Sequence, residues 1–373
     1  MCGISGIFNT DKKPVHASQI ESMNNLINHR GPDGNGVYVE GNLGIGSTRL
    51  AIIDLREIAN QPMSDTDGRY VIVYNGEIFN YVELRNELLK KGYRFNNNSD
   101  TEVILNSYKE YGEDCLHKLN GMWAFAIWDK REKSLFCSRD RYGIKPFYYY
   151  KDKSRFVFGS EIKQILDLGV DKTVNDEIIY DYLVFNFIDH TEQTFFKNVQ
   201  KLPAGWKLKV SAKEFKLSKW YELPQGKLEG GNLKTLYRDF YNLVYDSVRI
   251  RLRSDVEVGS CLSGGLDSSC VSAAAVSTGQ SRINTYTVSY PDNVAFFSEH
   301  PDKTFEGVTG DDTHYSQIVA DRHRTRHMPL LYDLEDYETA IDRVIWHREK
   351  PLLVMTEKMW VASMVWLLLR AGT

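Results

Sequence analysis

Val256-Glu257-Val258-Gly259-Ser260-Cys261-Leu262-Ser263-Gly264-Gly265-Leu266-Asp267-Ser268-Ser269 passes from an apolar run through a glycine pair into a helix start. A run of strand length, a Gly-Gly turn and an acidic residue just beyond it mark a strand, a loop and a helix N-terminus in succession. Upstream, Tyr237, Phe240, Tyr241, Val244 and Val248 recur at three- and four-residue spacing and predict a helix leading into that strand. Downstream, Ser268 to Ala275 begins the following helix and Ile283 to Tyr290 reads as the next strand. The order strand, helix, strand demands a crossover between parallel neighbours, so an α/β parallel, doubly wound sheet is expected here.

The first half has a different grain. Short apolar runs at Ile4 to Phe8, Gly44 to Ile53, Tyr70 to Tyr74, Ala124 to Trp128, Ser134 to Ser138, Phe147 to Tyr150 and Phe156 to Phe158 read as strands. Val82 to Lys91 and Thr101 to Tyr111 carry helical spacing and are followed by the stop signals Gly92 and Gly112. An α+β domain with antiparallel sheets follows. Between the halves, Lys207 to Leu233 is rich in lysine and glycine and reads as an exposed connection. The expected division is 1–205, a connection over 206–235, and 236–373; 373 residues suit two domains.

Composition removes several classes. Charged residues make up 26% of the chain and the formal net charge is only -4, which gives nucleic acid or an anionic membrane no basic surface to bind. Five scattered cysteines with no C-x-x-C pair disfavour a disulfide framework and a zinc site, and a reducing cytoplasm fits. The start Met-Cys-Gly-Ile-Ser-Gly-Ile-Phe has no basic leader and too short an apolar run for a signal peptide, so the expectation is that it is the mature terminus. Val361 to Leu369 is too short to span a membrane and is expected to be a buried helix.

Two places promise chemistry. Removal of Met1 leaves the Cys2 thiol beside its own α-amino group, whose ordinary pKa near 8 suits it to serve as general base. Taken alone, Cys2 reads first as a small apolar residue opening a strand. The loop at 263–269 offers backbone N-H groups and a helix N-terminus to an anion, and no lysine holds the place it takes in a G-x-x-x-x-G-K-[ST] loop. A phosphate site is the physical reading.

The motifs then accumulate in order. Cys2-Gly3-Ile4-Ser5-Gly6, His29-Arg30-Gly31-Pro32-Asp33, Arg49-Leu50-Ala51-Ile52-Ile53-Asp54, Tyr74-Asn75-Gly76-Glu77 and Ser99-Asp100-Thr101-Glu102 together resemble the class II glutamine amidotransferase family. That resemblance implies an N-terminal-nucleophile fold, an αββα sandwich, with Cys2 as nucleophile and Asn75 and Gly76 as the oxyanion hole. It also implies that glutamine is bound at Arg49, Leu50, Ala51, Ile52 and Ile53. Arg49 would take the α-carboxylate, and Glu77 with Asp100 the ammonium. A guanidinium suits the first task, because its planar fork pairs with both carboxylate oxygens. Read without the resemblance, Asn75-Gly76 is a hairpin turn and Asp100 a helix N-cap. Ser138 to Pro146 resembles the family too and is read as a charged structural turn.

Cys261 to Ser269 resembles the pyrophosphate loop of the ATP pyrophosphatases. Leu262, Ser263, Gly264, Gly265, Leu266, Asp267, Ser268, Ser269 and Val288 would then contact ATP or its pyrophosphate, with Asp267 helping to place Mg2+. With Arg251 to Val256 ahead of it, the arrangement is similar to the glutamine-hydrolysing asparagine synthetases over essentially the whole chain. That implies glutamine, aspartate and ATP as substrates, a β-aspartyl-AMP intermediate, an ammonia channel, and a homodimer as the assembly to look for. Trp346-His347-Arg348-Glu349-Lys350-Pro351 resembles a segment of that family in which Glu349 would lie near the reacting acyl group, although Arg348 and Lys350 depart from it. Asp311-Asp312 is equally well a family segment or an acidic helix start. The family continues with Ser-Gly-Glu-Gly-x-Asp-Glu, which this sequence does not contain, so the expectation is a fragment of a longer protein, the alternative being a chain that has lost part of its synthetase site. The alternatives carried are a relative that amidates another carboxylate, and a glutaminase-only or non-catalytic binding protein.

Overall fold

A computed structural model describes residues 1–226, 231–279, 283–289, 312–331 and 342–351. Two compact units divide the chain, Met1–Gly226 and Lys227–Thr373. No helix among the described residues is long and apolar enough to cross a membrane.

The first unit runs β1 (Gly3–Asn9), α1 (Ala17–Asn25), β2 (Gly34–Glu40), β3 (Leu43–Arg49), β4 (Met63–Ser64), β5 (Tyr70–Ile78), α2 (Tyr81–Lys90), α3 (Asp100–Tyr111), α4 (Cys115–Lys118) and β6 (Gly121–Asp129). It continues with β7 (Ser134–Arg139), β8 (Tyr148–Lys151), β9 (Arg155–Gly159), α5 (Ile162–Leu166), α6 (Asp176–Phe185), β10 (Gln200–Lys201), β11 (Trp206–Ser211) and β12 (Phe215–Lys219). Two six-stranded sheets result, in the orders β10-β8-β9-β1-β3-β2 and β12-β11-β7-β6-β5-β4, with the strand pairs antiparallel.

Strand β6 shows why the sheets are buried on both faces. Its Ala124, Ala126 and Trp128 join Ile4, Phe8, Leu43 and Ile45 of the other sheet in one core. Its Trp123, Phe125 and Ile127 point the other way, onto Leu84 and Leu88 of α2, Val103 and Leu105 of α3, and Leu116 of α4. The first sheet has its own outer cover, where Ile20 and Met23 of α1 and Ile162 and Ile165 of α5 pack on Ile7 and Val157. Helix, sheet, sheet, helix is the αββα layering expected for an N-terminal-nucleophile domain. Because each strand face meets apolar partners, the period-2 alternation is masked and the strands read as continuous apolar runs.

The expected connection needs correction. Residues 206–211 and 215–219 are β11 and β12, and Leu208 and Val210 belong to the core between the sheets. Lys207 and Lys209 alternate with them, so a half-buried strand between β12 and β7 was hidden by its own lysines. Chain without regular structure runs only from Tyr221 to Gly226 before the described residues break off.

In the second unit, α7 (Leu233–Arg251), β13 (Gly259–Cys261), α8 (Leu266–Ser277), β14 (Asn284–Ser289), α9 (Asp312–His323) and β15 (Arg326–Leu331) follow in order. Strands β13, β14 and β15 are parallel neighbours, as the strand-helix-strand pattern requires. Two expectations shift in detail. The strand is confined to 259–261 rather than spanning 256–262, and the stripe that predicted α7 leaves Tyr237, Phe240 and Tyr241 exposed within the described residues. Asp311 and Val361 to Leu369 lie outside the described residues.

One buried carboxylate organises the turn after β7. Asp140 is fully buried and accepts backbone N-H groups from Trp123, Tyr142, Ile144 and Lys145 at 3.0–3.2 Å. Replacing it with alanine strands four donors, and an unmade buried hydrogen bond costs 1–3 kcal/mol. Asp140→Ala is expected to lower stability by about 3 kcal/mol in urea unfolding; an unchanged midpoint would refute this role.

Candidate active site

Antiparallel pairing of β1 with β3 sets Gly3 opposite Thr48, which brings the residue before β1 beside the residue after β3. Leu50 N-H accordingly donates to Cys2 Sγ at 3.4 Å. Arg30, from the turn after α1, donates through Nε to Cys2 O at 3.0 Å and through Nη1 to Glu161 at 2.9 Å. Burial pushes the Cys2 thiol pKa up, and the Leu50 N-H and the N-terminal charge oppose that rise.

Cys2 opens onto a cleft of about 570 Å³ whose lining includes Arg49, Leu50, Ile52, Ile53, Asn75, Gly76, Glu77 and Asp100. These residues come from three elements and the β3 exit, so the sequence motifs meet in space. Ala51 does not line the cleft; its N-H is held by Asp33 Oδ2 at 2.8 Å. Asn75 and Gly76 lie inside β5, paired with Ala124 and Trp123, and the hairpin reading of Asn-Gly is thereby excluded. A Cβ on Gly76 would collide with Met122 O, so glycine permits this close strand approach. Asn75 is 1% exposed and its Nδ2 has no hydrogen-bond partner among the described residues. A buried amide donor without an acceptor costs stability, which marks it as held for something that arrives.

Acidic residues close one side. Ser99, not Asp100, caps α3, its Oγ accepting from Glu102 N at 3.4 Å. Asp100 instead ties α3 to β5, with Oδ2 accepting from Tyr74 Oη at 2.8 Å and Ile78 N at 2.9 Å. Burial raises the pKa of Asp100 and also that of Glu77, where Lys145 opposes the shift. The fork of Arg49 departs from its expected use. Nη1 donates to Arg56 O and Asn60 Oδ1, and Nη2 to Ile53 O and Asp54 O, at 2.5–3.2 Å. Its charge faces the cleft while its terminal nitrogens bind the 53–60 loop.

Met1, Gln61, Tyr74, Ser99, Thr101 and Lys145 also line the cleft and were not singled out from sequence. Lys145 was hidden inside a charge-rich turn, Gln61 sits in no recognisable motif, and Tyr74, Ser99 and Thr101 belong to motifs in which no role was assigned to them. Gln61 Oε1 accepts from Tyr74 N at 2.6 Å, bracing β5 beside Asn75.

The phosphate loop of the second unit stands by itself. Gly264 has φ +77, and a Cβ there would strike Tyr315 and Ser316 of α9, so the position needs glycine twice over. Ser263 Oγ and Ser268 Oγ lie 3.0 Å apart, Ser268 Oγ donates to Gly265 O, and Ser269 Oγ is buried without a partner. Asp267 sits in the first turn of α8. Leu262 is buried, its N-H donating to Tyr286 O at 2.8 Å, and Val288 is half-buried on β14 next door. An orphaned hydroxyl beside a left-handed glycine and a helix N-terminus forms a cradle that fits phosphate oxygens. Glu349 follows the helix over 342–348 with φ +55 and its N-H on Ile345 O at 2.9 Å.

Comparison with known proteins assigns a family to each half of the chain. The glutamine amidotransferase domain family matches residues 1–221, and the asparagine synthase family matches residues 239–367. A Methanocaldococcus jannaschii protein provisionally named asparagine synthetase [glutamine-hydrolyzing] 2 is 38% identical over 94% of this chain and 68% of its own length. The chain belongs to the glutamine-hydrolysing asparagine synthetase family. Two Bacillus subtilis members, asparagine synthetases [glutamine-hydrolyzing] 1 and 3, are 35% and 34% identical over 94% of this chain. The chain spans 53% and 57% of their lengths. Among solved structures, a B. subtilis glutamine phosphoribosylpyrophosphate amidotransferase aligns over 90% of this chain and 91% of its own at 14% identity and a TM-score of 0.47, too loosely to place any residue.

In this family member the anchor of Arg30 is itself titratable. Burial pushes Glu161 up, but the His29 hydrogen bond and the charges of Lys163 and Arg30 outweigh it and bring the carboxyl down to about 2. A folded pKa below the unfolded value of about 4.5 stabilises the protein above pH 4.5 and ceases to do so as pH falls through 2. Glu161→Gln is expected to remove up to ~3 kcal/mol at pH 7 and to flatten the loss of stability between pH 5 and 2. Parallel curves of stability against pH for the two proteins would contradict the assignment.

Proposed function

We propose that the protein makes asparagine from aspartate, drawing nitrogen from glutamine and energy from ATP. The observation that carries the glutaminase half is Asn75 Nδ2, a buried donor with no acceptor in the cleft onto which Cys2 opens. After Met1 is removed, the α-amino group of Cys2 takes the thiol proton and Sγ attacks the side-chain amide carbon of glutamine. Asn75 Nδ2 and Gly76 N-H receive the developing oxyanion, where preorganised donors act most strongly. The amine returns its proton to the departing nitrogen, ammonia leaves, and a thioester remains. Water then attacks the thioester, which releases glutamate and restores the thiol. Glu77 and Asp100 hold the substrate ammonium, and Arg49 provides the positive charge that its carboxylate requires.

In the second unit, a β-carboxylate oxygen of aspartate attacks the α-phosphorus of ATP and pyrophosphate departs. Ser263, Gly264, Gly265, Ser268 and Ser269 hold the pyrophosphate oxygens, Leu262, Leu266 and Val288 border the nucleotide, and Asp267 would hold Mg2+. When bound, that ion neutralises charge on the leaving group. Ammonia displaces AMP from the acyl carbon, near which we place Glu349, and asparagine forms. The cytoplasm, where five free thiols stay reduced, is the proposed location, and a homodimer the proposed assembly.

Aspartate-dependent pyrophosphate release by the full chain, supplied with glutamine and magnesium-ATP, is expected. Glutamate production without any pyrophosphate would withdraw the synthetase half and leave a glutaminase. Within the glutaminase, Cys2→Ala is expected to abolish glutamate release, and Asn75→Ala to lower kcat by about 10²–10³ with KM changed only a few-fold. A rise in KM at constant kcat in Asn75→Ala would remove it from the oxyanion hole.

A further inference from the structure

The second unit holds a histidine that the phosphate site does not use. His327 of β15 is the register partner of Thr285 of β14, and partners in a strand pair carry their side chains on one face of the sheet. Its Nδ1 lies 3.0 Å from Thr285 Oγ1, and its Nε2 lies 3.3 Å from Ser316 Oγ of α9. Thr285 and Ser316 are fully buried, and Thr325 Oγ1 stands 2.8 Å from Thr285 Oγ1. One imidazole therefore joins two neighbouring strands to the helix that crosses between them.

The proton positions follow from the hydroxyls. Ser316 Oγ donates its single proton to Thr313 O at 3.0 Å, so toward His327 it can only accept, and Nε2 bears the ring hydrogen. Nδ1 is then bare and accepts from Thr285 Oγ1, which accepts in turn from Thr325 Oγ1. A second ring proton would make Nδ1 a donor and force both threonine hydroxyls to reverse. The partners from β14 and the start of β15, Thr285 and Thr325, carry no charge to favour that proton; Asp321 of α9 does favour it, but burial outweighs it and holds the ring below its ordinary pKa.

Ser316 links this ring to the phosphate loop. Its backbone N lies 2.6 Å from where a Cβ of Gly264 would stand, so α9 forms one wall of the loop. The other side is tied to β14, where Leu262 N-H donates to Tyr286 O and Thr287 Oγ1 donates to Leu262 O. We propose that His327 is a positioning residue of the phosphate loop: as a neutral ring protonated at Nε2 it clasps α9 to the sheet and keeps the Tyr315–Ser316 backbone against Gly264, and a second ring proton opens the clasp. The inference rests on the phosphate reading above for what the loop holds, and on these hydrogen bonds for the clasp itself.

The test follows the loop directly. Amide hydrogen exchange of the full chain is measured between about pH 5 and 8, corrected for its intrinsic pH dependence, on the peptide covering 262–270. Protection there is expected to fall by about tenfold as the parent passes to the acid end, the worth of one or two hydrogen bonds. His327→Ala should show that loss at every pH. His327→Gln, whose Nε2-H can still reach Ser316 and which does not titrate, should keep the protection and lose its pH dependence. Affinity for inorganic pyrophosphate with magnesium, measured by calorimetry, should follow the same order. Equal protection in the parent and His327→Ala, equal loss in both variants, or a pH dependence that survives in His327→Gln would overturn the proposal. A parent chain that shows the expected exchange but binds no pyrophosphate would count against the phosphate reading alone and leave the clasp standing.

Discussion

Pairing of Gly3 with Thr48 is the constraint on which the Cys2 cleft depends. It fixes the start of the chain against the end of β3, and with that one register it places the Cys2 thiol beside Leu50 N-H and Arg49. A slip of one residue would turn every side chain of β1 to the opposite face. Ile4 and Phe8 would leave the core between the sheets and Ile7 would leave the outer one, so the register is held by apolar burial on both sides. The Cys2 thiol is therefore located by packing remote from the cleft it opens onto.

Charge in the cleft is arranged by the same means. Asp100 and Asp140 are both buried carboxylates tied to backbone N-H groups, and each fixes a different wall: Asp100 joins α3 to β5, and Asp140 shapes the turn that carries Lys145. Glu161 does the equivalent for Arg30. Structural carboxylates held by several donors set the directions of the few charged groups that line or border the cleft.

Much of the organisation was legible in the sequence, for identifiable reasons. Four of the five amidotransferase motifs contribute residues to one cleft, while His29 to Asp33 does not line it and reaches Cys2 through Arg30, and the strand-helix-strand pattern after Val256 produces a parallel sheet. What stayed hidden was hidden by competing signals. Asn75-Gly76 has the composition of a hairpin turn but lies in mid-strand, because the partner that needs glycine there, Met122, is distant in sequence. Lys207 and Lys209 disguised β11, whose buried residues are the alternate ones. The fork of Arg49 looked suited to a carboxylate, and only its neighbours in space reveal that loop carbonyls occupy it. Lys145 sat among Arg139, Asp140 and Arg141, where a charged run ordinarily means a solvated surface.

Gly264 carries a consequence for how the second unit comes together. Its backbone is pressed against Tyr315 and Ser316, residues of a helix that belongs to the next crossover. The phosphate loop thus borrows one wall from chain that emerges well after it during synthesis, and a contact so remote in sequence forms only after the intervening segment has closed. A nascent chain that has produced the whole of the serine-glycine motif still lacks the surface that gives the motif its shape. Competence to grip phosphate should accordingly be acquired late, after the glutamine-binding unit has been able to fold.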